Sequence, residues 1–177
     1  GTSLYAAQLG ALYTERIARI PASAEDASEF RYRDPVTNAN TLVVAVVQSG
    51  ETADTLEAMH QSLHAKSRLL AVVNVEGSQA TRVAEGCMMM HAGLEVGVAA
   101  SKTFTSSLVC LLLLAMHLGK LRGVLDAAAL TALSEHIAHL PSLMGDAIQA
   151  NADAYARLAP KYGRMKRFLF IGRGLLV

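Results

Sequence analysis

Apolar residues recur along this chain in two rhythms that alternate. Between residues 3 and 19, Leu4, Leu9, Leu12 and Ile17 fall near helical spacing, Ile20 extends the run and Pro21 closes it, which predicts a helix. Residues 22–27 read as a short strand or connector. Residues 28–35 read as one helical turn and a loop, with Ser28 as cap and Pro35 as terminator. Residues 41–47, with LVVAVV at the centre, are β-branched and apolar without polar alternation, as a strand covered on both faces of a parallel sheet must be. A helix over 52–66 and a second buried strand over 69–73 complete a β-α-β unit, whose crossover is expected to be right-handed.

After Asn74 and Gly77 a short helix over 79–85 leads to Cys87-Met88-Met89-Met90, whose methionines suit a core strand better than a metal. Residues 101–121 contain LVCLLLLAM, apolar on every face, which predicts a buried helix. Residues 126–158 predict one or two amphipathic helices with a break at Pro141, and 168–171 return to strand. Strands alternating with helices make the fold class α/β, a three-layer αβα sandwich with a mostly parallel sheet. In such sheets ligands bind beyond the carboxyl ends of the strands.

Composition narrows the ligand. Of 177 residues 52% are hydrophobic and 18% charged, enough apolar surface for a compact core. Sixteen basic against fifteen acidic residues leave a net charge of +1, which argues against nucleic acid and anionic lipid as partners and makes any bound anion a small one. The longest apolar run, residues 108–116, is shorter than the roughly 20 residues of a membrane span, and no basic-then-apolar leader opens the chain, so no membrane segment is expected. Cys87 and Cys110 are too few for a disulfide framework, which places the expectation in a reducing cytoplasm, although one bridge remains open. Gly1-Thr2-Ser3 has no strand before it and Gly172-Arg173-Gly174 has no helix after it, so the chain reads as a piece of a longer protein.

The most informative segment is Gln48-Ser49-Gly50-Glu51-Thr52, between the first buried strand and a helix. Gly50 permits a tight turn, the first N–H groups of the helix lack partners, and Ser49, Thr52 and Gln48 add side-chain donors; together they can enclose a phosphate without a lysine. The plainer alternative makes Ser49 a helix cap. Glu51 would repel a phosphate and is expected to point away. The segment lacks both the GxxxxGK[ST] and the GxGxxG pattern, so a small monophosphate fits better than a nucleotide, and no cofactor is implied. Thr2 and Ser3 repeat the glycine and hydroxyl chemistry at another helix start. A third loop, residues 93–102, carries Glu95, Val98, Ala100, Ser101 and Lys102, with an ordinary glycine loop capped by Ser101 as the alternative. His60 with His64, and His136 with His139, have no third ligand and read as solvated faces; His91 and His117 are isolated; no metal site is expected. Cys110 reads as a core residue, and Lys161, Arg164, Lys166 and Arg167 as a solvated turn.

Taken together, GTS at 1–3, ASEFRYRDP at 27–35, QSGETADTL at 48–56, the NVxGS stretch at 74–78, AGLEVGVAASKTFTSSL at 92–108 and FIGRG at 170–174 resemble, in order and spacing, the sugar isomerase (SIS) domain of the glucosamine-6-phosphate synthase family. The resemblance implies a flavodoxin-like sheet, a first SIS unit over 1–165, and the opening strand and turn of a second over 166–177. It implies amino-sugar biosynthesis, with fructose 6-phosphate or glucosamine 6-phosphate as ligand, a homodimer, and a glutaminase domain and second SIS domain elsewhere in the same protein. Ser3, Gln48, Ser49 and Thr52 match the family's phosphate contacts, with Gly50 in the same turn. Thr2, Val98 and Ser101 match its sugar-contacting region, and Glu95 an active-site acid. Two positions depart: Val47 and Ala100 stand where the family has serines, each a lost hydrogen bond of about 1–3 kcal/mol. The family's principal base, ring-opening histidine and terminal lysine lie outside these segments, so this stretch alone is expected to be inactive. A relative without the glutaminase domain (a deglycase or amino-sugar phosphate isomerase) and a non-catalytic phosphosugar sensor are the alternatives.

Overall fold

In the computed structural model, which describes residues 1–97 and 99–172, the chain divides into two compact units, residues 1–125 and 126–177. The first is built on three parallel strands in the order β1-β2-β3: β1 (Leu42–Val47), β2 (Arg68–Val73) and β3 (Gly86–Met89). β1 and β2 pair in register from Leu42 opposite Arg68 to Val47 opposite Val73, and β3 sets Gly86 opposite Leu70.

Side-chain alternation along the strands explains the layers. Ala45, Val47, Leu69, Ala71 and Val73 pack with Met59 of α3 (Ala53–His64) and Ala80 of α4 (Gln79–Val83). Val72 and Met90, with Val44, Val46 and Met88 against them, pack on the other face with Ala6 of α1 (Thr2–Tyr13) and Cys110 and Leu111 of α5 (Lys102–Leu121). This is the expected three-layer sandwich, and the methionine run fills core as expected. Two glycines let helices close on one another: a Cβ on Gly10 would lie 2.9 Å from Leu111 Cδ1, and one on Gly119 would lie 2.9 Å from the Ile17 carbonyl oxygen. Cys110 is buried and Cys87 exposed, both as free thiols, and burial pushes both thiols up.

Several elements differ from the sequence expectation. The first helix ends in a π-helical turn (Thr14–Ala18), where Thr14 Oγ1 donates to the Gly10 carbonyl at 2.9 Å, and Arg19 leaves it at a φ of 56°. Residues 22–26 take the connector alternative and form no strand. α2 (Ala27–Arg33) is nearly two turns, capped by Asp26 and not Ser28: the Asp26 carboxylate accepts Ser28 N–H at 3.0 Å and Ser28 Oγ–H at 2.7 Å. α5 buries only one side. Thr103, Ser107, Cys110, Leu111, Ala115, Met116 and Gly119 face inward, while Leu113 is 42% exposed, because an outer layer has only one sheet to cover. By length and composition α5 is apolar enough to cross a membrane, yet its inner face is packed on β2 and α1, as a core helix's is.

The second unit contains α6 (Ala127–Ala150), capped by Asp126 accepting Ala129 N–H at 2.8 Å, and α7 (Ala152–Tyr162). Pro141 does not break α6. The ring removes one ladder donor, but the helix is exposed, so water can reach the freed carbonyl, and Ala, Leu and Met around it favour helix. Residues 168–171 are irregular, with Phe170 and Ile171 about nine-tenths exposed; a strand needs a ladder partner, and none of the described residues pairs with them. Arg173 and Gly174 lie outside the described residues.

Replacing Pro141 by Ala restores the missing N–H and is expected to stabilise α6 by up to about 3 kcal/mol. Amide hydrogen exchange along residues 137–150 reads it; unchanged protection would show that the proline costs this helix nothing.

Candidate functional site

β1 ends in a turn that only glycine fits. Gly50 has a φ of +72°, and a Cβ there would lie 2.1 Å from Ser78 Oγ and 3.2 Å from Val73 Cγ2. The turn is held from its far side: Ala80 N–H donates to the Gly50 carbonyl at 3.0 Å, and Asn74 N–H to the Gln48 carbonyl at 3.2 Å. Glu51 is directed at α4, the helix that follows β2. Its carboxylate accepts Gln79 N–H at 2.9 Å and Gln79 Nε2–H at 2.8 Å, so it caps α4. Ser49 Oγ accepts Glu51 N–H at 3.2 Å within the turn and does not cap α3, which rules out the plainer reading of Ser49.

The result is an uncapped helix start. Thr52 is the α3 N-cap and makes no side-chain cap bond, so the first-turn N–H groups have no side-chain partner. Asp54, in that first turn, would repel an anion, but Arg31 of α2 pairs with it at 2.6 Å. α1 likewise starts without a side-chain cap, from Gly1 through Thr2 and Ser3. Both helix starts open on one cleft of about 1070 Å³, whose lining includes Thr2, Ser3, Gln48, Ser49, Thr52, Glu95 and Ala100. The cleft continues along the open edge of β1 to residues 20–26, where Arg33 is paired with Glu25 at 2.6 Å.

Glu95 is committed to α5. All its bonds fall on Oε2, from Ser101 N–H at 3.2 Å, Thr103 N–H at 3.2 Å and Thr103 Oγ1–H at 3.0 Å. The Thr103 backbone N–H above all, then the Thr103 hydroxyl, the Ser101 N–H and nearby Lys102, hold its carboxyl below the usual carboxylate range against partial desolvation. An ionised carboxylate of lowered pKa is a weak general base. Glu95, and not Ser101, is thus the cap of this helix.

Of the candidates, Thr2, Ser3, Gln48, Ser49, Thr52, Glu95 and Ala100 share the cleft lining; Gly50 shapes the turn beneath it, and Ser101 stands at the start of α5. Val98 lies outside the described residues. Val47 borders the cleft but is 4% exposed and packed in the core, and its side chain has no donor. His60, His64, His91, His117, His136 and His139 are exposed, and no three His, Cys, Asp or Glu side chains gather as a metal group among the described residues. Sequence reasoning missed Asn74, whose side chain donates to the Gly93 carbonyl at 2.8 Å and accepts Ala92 N–H at 3.0 Å. An Asn closing a buried strand before a glycine loop was the available signal.

The family model described as SIS domain matches residues 1–117. The chain is 40% identical, over 98% of its length, to a glutamine–fructose-6-phosphate aminotransferase (isomerizing) of Thermus thermophilus, of which it spans 28%. It is 42% identical, over 100% of its length, to the enzyme of that name from Thermococcus kodakarensis, of which it spans 29%. Among solved structures it superposes on the C-terminal domain of glucosamine-fructose-6-phosphate aminotransferase from Francisella tularensis with a TM-score of 0.91 and 33% identity, covering 99% of this chain and 49% of that one.

Gly50→Ala is expected to cost about 2–4 kcal/mol, combining positive-φ strain with the clash on Ser78, as read by urea unfolding; a cost below about 1 kcal/mol would mean that the turn can rearrange. Because the Glu95 pKa is lowered in the fold, its contribution is full at neutral pH and lost as pH falls through and below the ordinary glutamate range. Glu95→Gln should therefore be less stable than wild type at neutral pH, with the gap closing on acidification; a gap constant with pH would refute the capping role.

Proposed function

This chain belongs to the SIS domain family, and we propose that it is the phosphosugar-binding half of the isomerase part of a glucosamine-6-phosphate synthase, with fructose 6-phosphate or glucosamine 6-phosphate as ligand. The observation that carries the proposal is the uncapped start of α3, which opens on one cleft together with Thr2 and Ser3 of α1. The phosphate would accept from the α3 first-turn N–H groups and from the hydroxyls of Ser49, Thr52 and Ser3, with Gln48 adding an amide. Ser49 suits this role because its oxygen takes the Glu51 N–H and leaves its own hydrogen free to donate.

The sugar would then extend from that end towards Thr2, Ala100 and Ser101. Moving a proton between C1 and C2 of an open-chain sugar needs a base with a pKa near neutrality, which Glu95 is not. In this proposal Glu95 keeps the start of α5 in place beside the sugar, and the chain alone binds without turning over. The chain spans about 28% of the length of the curated relatives it matches. Turnover, ammonia delivery and pairing with a second copy are assigned to the longer proteins. Two free cysteines accord with a cytoplasmic setting. Val47 and Ala100 offer no hydroxyl, which favours, as a second reading, a relative acting on a different phosphosugar without a glutaminase domain.

Calorimetric titration with both phosphosugars tests the site. Ser49→Ala should weaken binding about tenfold, as the loss of one hydrogen bond to a charged group does. Equal affinities for the two proteins would sink the phosphate site.

A further inference from the structure

Asn74 follows the middle strand of the sheet, where it reaches the loops after both neighbouring strands. On one side its backbone N–H donates to the Gln48 carbonyl at 3.2 Å, continuing the β1–β2 ladder into the turn that holds Ser49 and Gly50. On the other side the β2–β3 ladder ends at Met90 N–H on the Val73 carbonyl, 2.9 Å. There the Asn74 side chain takes over, donating to the Gly93 carbonyl at 2.8 Å and accepting Ala92 N–H at 3.0 Å. A carboxamide carries the same donor and acceptor as a peptide unit, so it stands in for one more residue of strand. Two residues beyond Gly93 stands Glu95, whose carboxylate fixes the start of α5. The segment from Ala92 to Glu95 is thus held at one end by Asn74 and at the other by α5. His91 and Gly93, at φ of 50° and 71°, shape its entry.

We propose that Asn74 is the positioning residue that sets the sugar-side segment, residues 92–95, at a fixed distance from the phosphate-side turn, residues 48–52, so that one molecule bridges both. The inference rests on the phosphosugar reading of the cleft. It makes a prediction about selectivity that a merely structural role does not: without the Asn74 amide the phosphate turn keeps its shape, because its link to Asn74 is through the backbone, while the sugar-side segment loses its register. Phosphosugar affinity then falls and inorganic phosphate affinity does not.

The test compares wild type with Asn74→Leu, which removes both side-chain bonds, and the milder Asn74→Asp, which keeps the acceptor for Ala92 N–H and sets a carboxylate against the Gly93 carbonyl. Fructose 6-phosphate affinity is expected to fall about tenfold in both variants while inorganic phosphate affinity stays within about twofold. Amide exchange at Ala92 should speed up in Asn74→Leu and stay slow in Asn74→Asp. If wild type binds phosphate and the variants keep full phosphosugar affinity, or lose both ligands equally, Asn74 does not set the spacing. If wild type binds neither ligand, the cleft is not a phosphosugar site and the inference falls with it.

Discussion

A strand whose Leu69, Ala71, Val72 and Val73 are all shut away from water requires a layer of helices on each face and a paired strand at each edge, and β2 is that strand. Parallel pairing then puts the carboxyl ends of β1, β2 and β3 on one side, so the turns that follow them are neighbours whatever their sequences. That geometry brings residues 48–52 and residues 92–95 together across Asn74, and it sets the helix starts of the outer layers beside them.

In the first unit acidic groups are allotted one by one to helix starts. Asp26 caps α2, Glu51 caps α4 and Glu95 caps α5, while Asp54 is matched by Arg31. The starts of α1 and α3 are left without a side-chain cap. The free first-turn donors of α3 and the Thr2 and Ser3 hydroxyls of α1 therefore open together on the cleft.

The layers and the turn at 48–52 were legible because they depend on short-range rules. The β-branched run at 42–47 allows little but a buried strand, and a Ser-Gly turn at the start of a helix offers free donors wherever it occurs. What sequence could not supply was pairing across the fold. Nothing near Glu51 says that its partner is Gln79, or near Glu95 that its partners are Ser101 and Thr103, since each bond depends on loop paths set by the sheet. Pro141 misled because a proline breaks a helix only when the lost donor and the displaced carbonyl have no remedy, and an exposed helix has one in water. Residues 168–171 misled in the opposite sense: β propensity is a capacity for pairing, and the partner is a separate matter.

The neutrality of the donors around the Gly50 turn has a kinetic consequence. Backbone amides and hydroxyls attract an anion only over the last few ångströms, and a chain of net charge +1 adds no long-range field. A ligand reaches such a site by unassisted diffusion, so ionic strength should be a weak lever on its arrival, and crowding by other polyanions a weak competitor. Capture at such a site is decided by fit in the turn after contact.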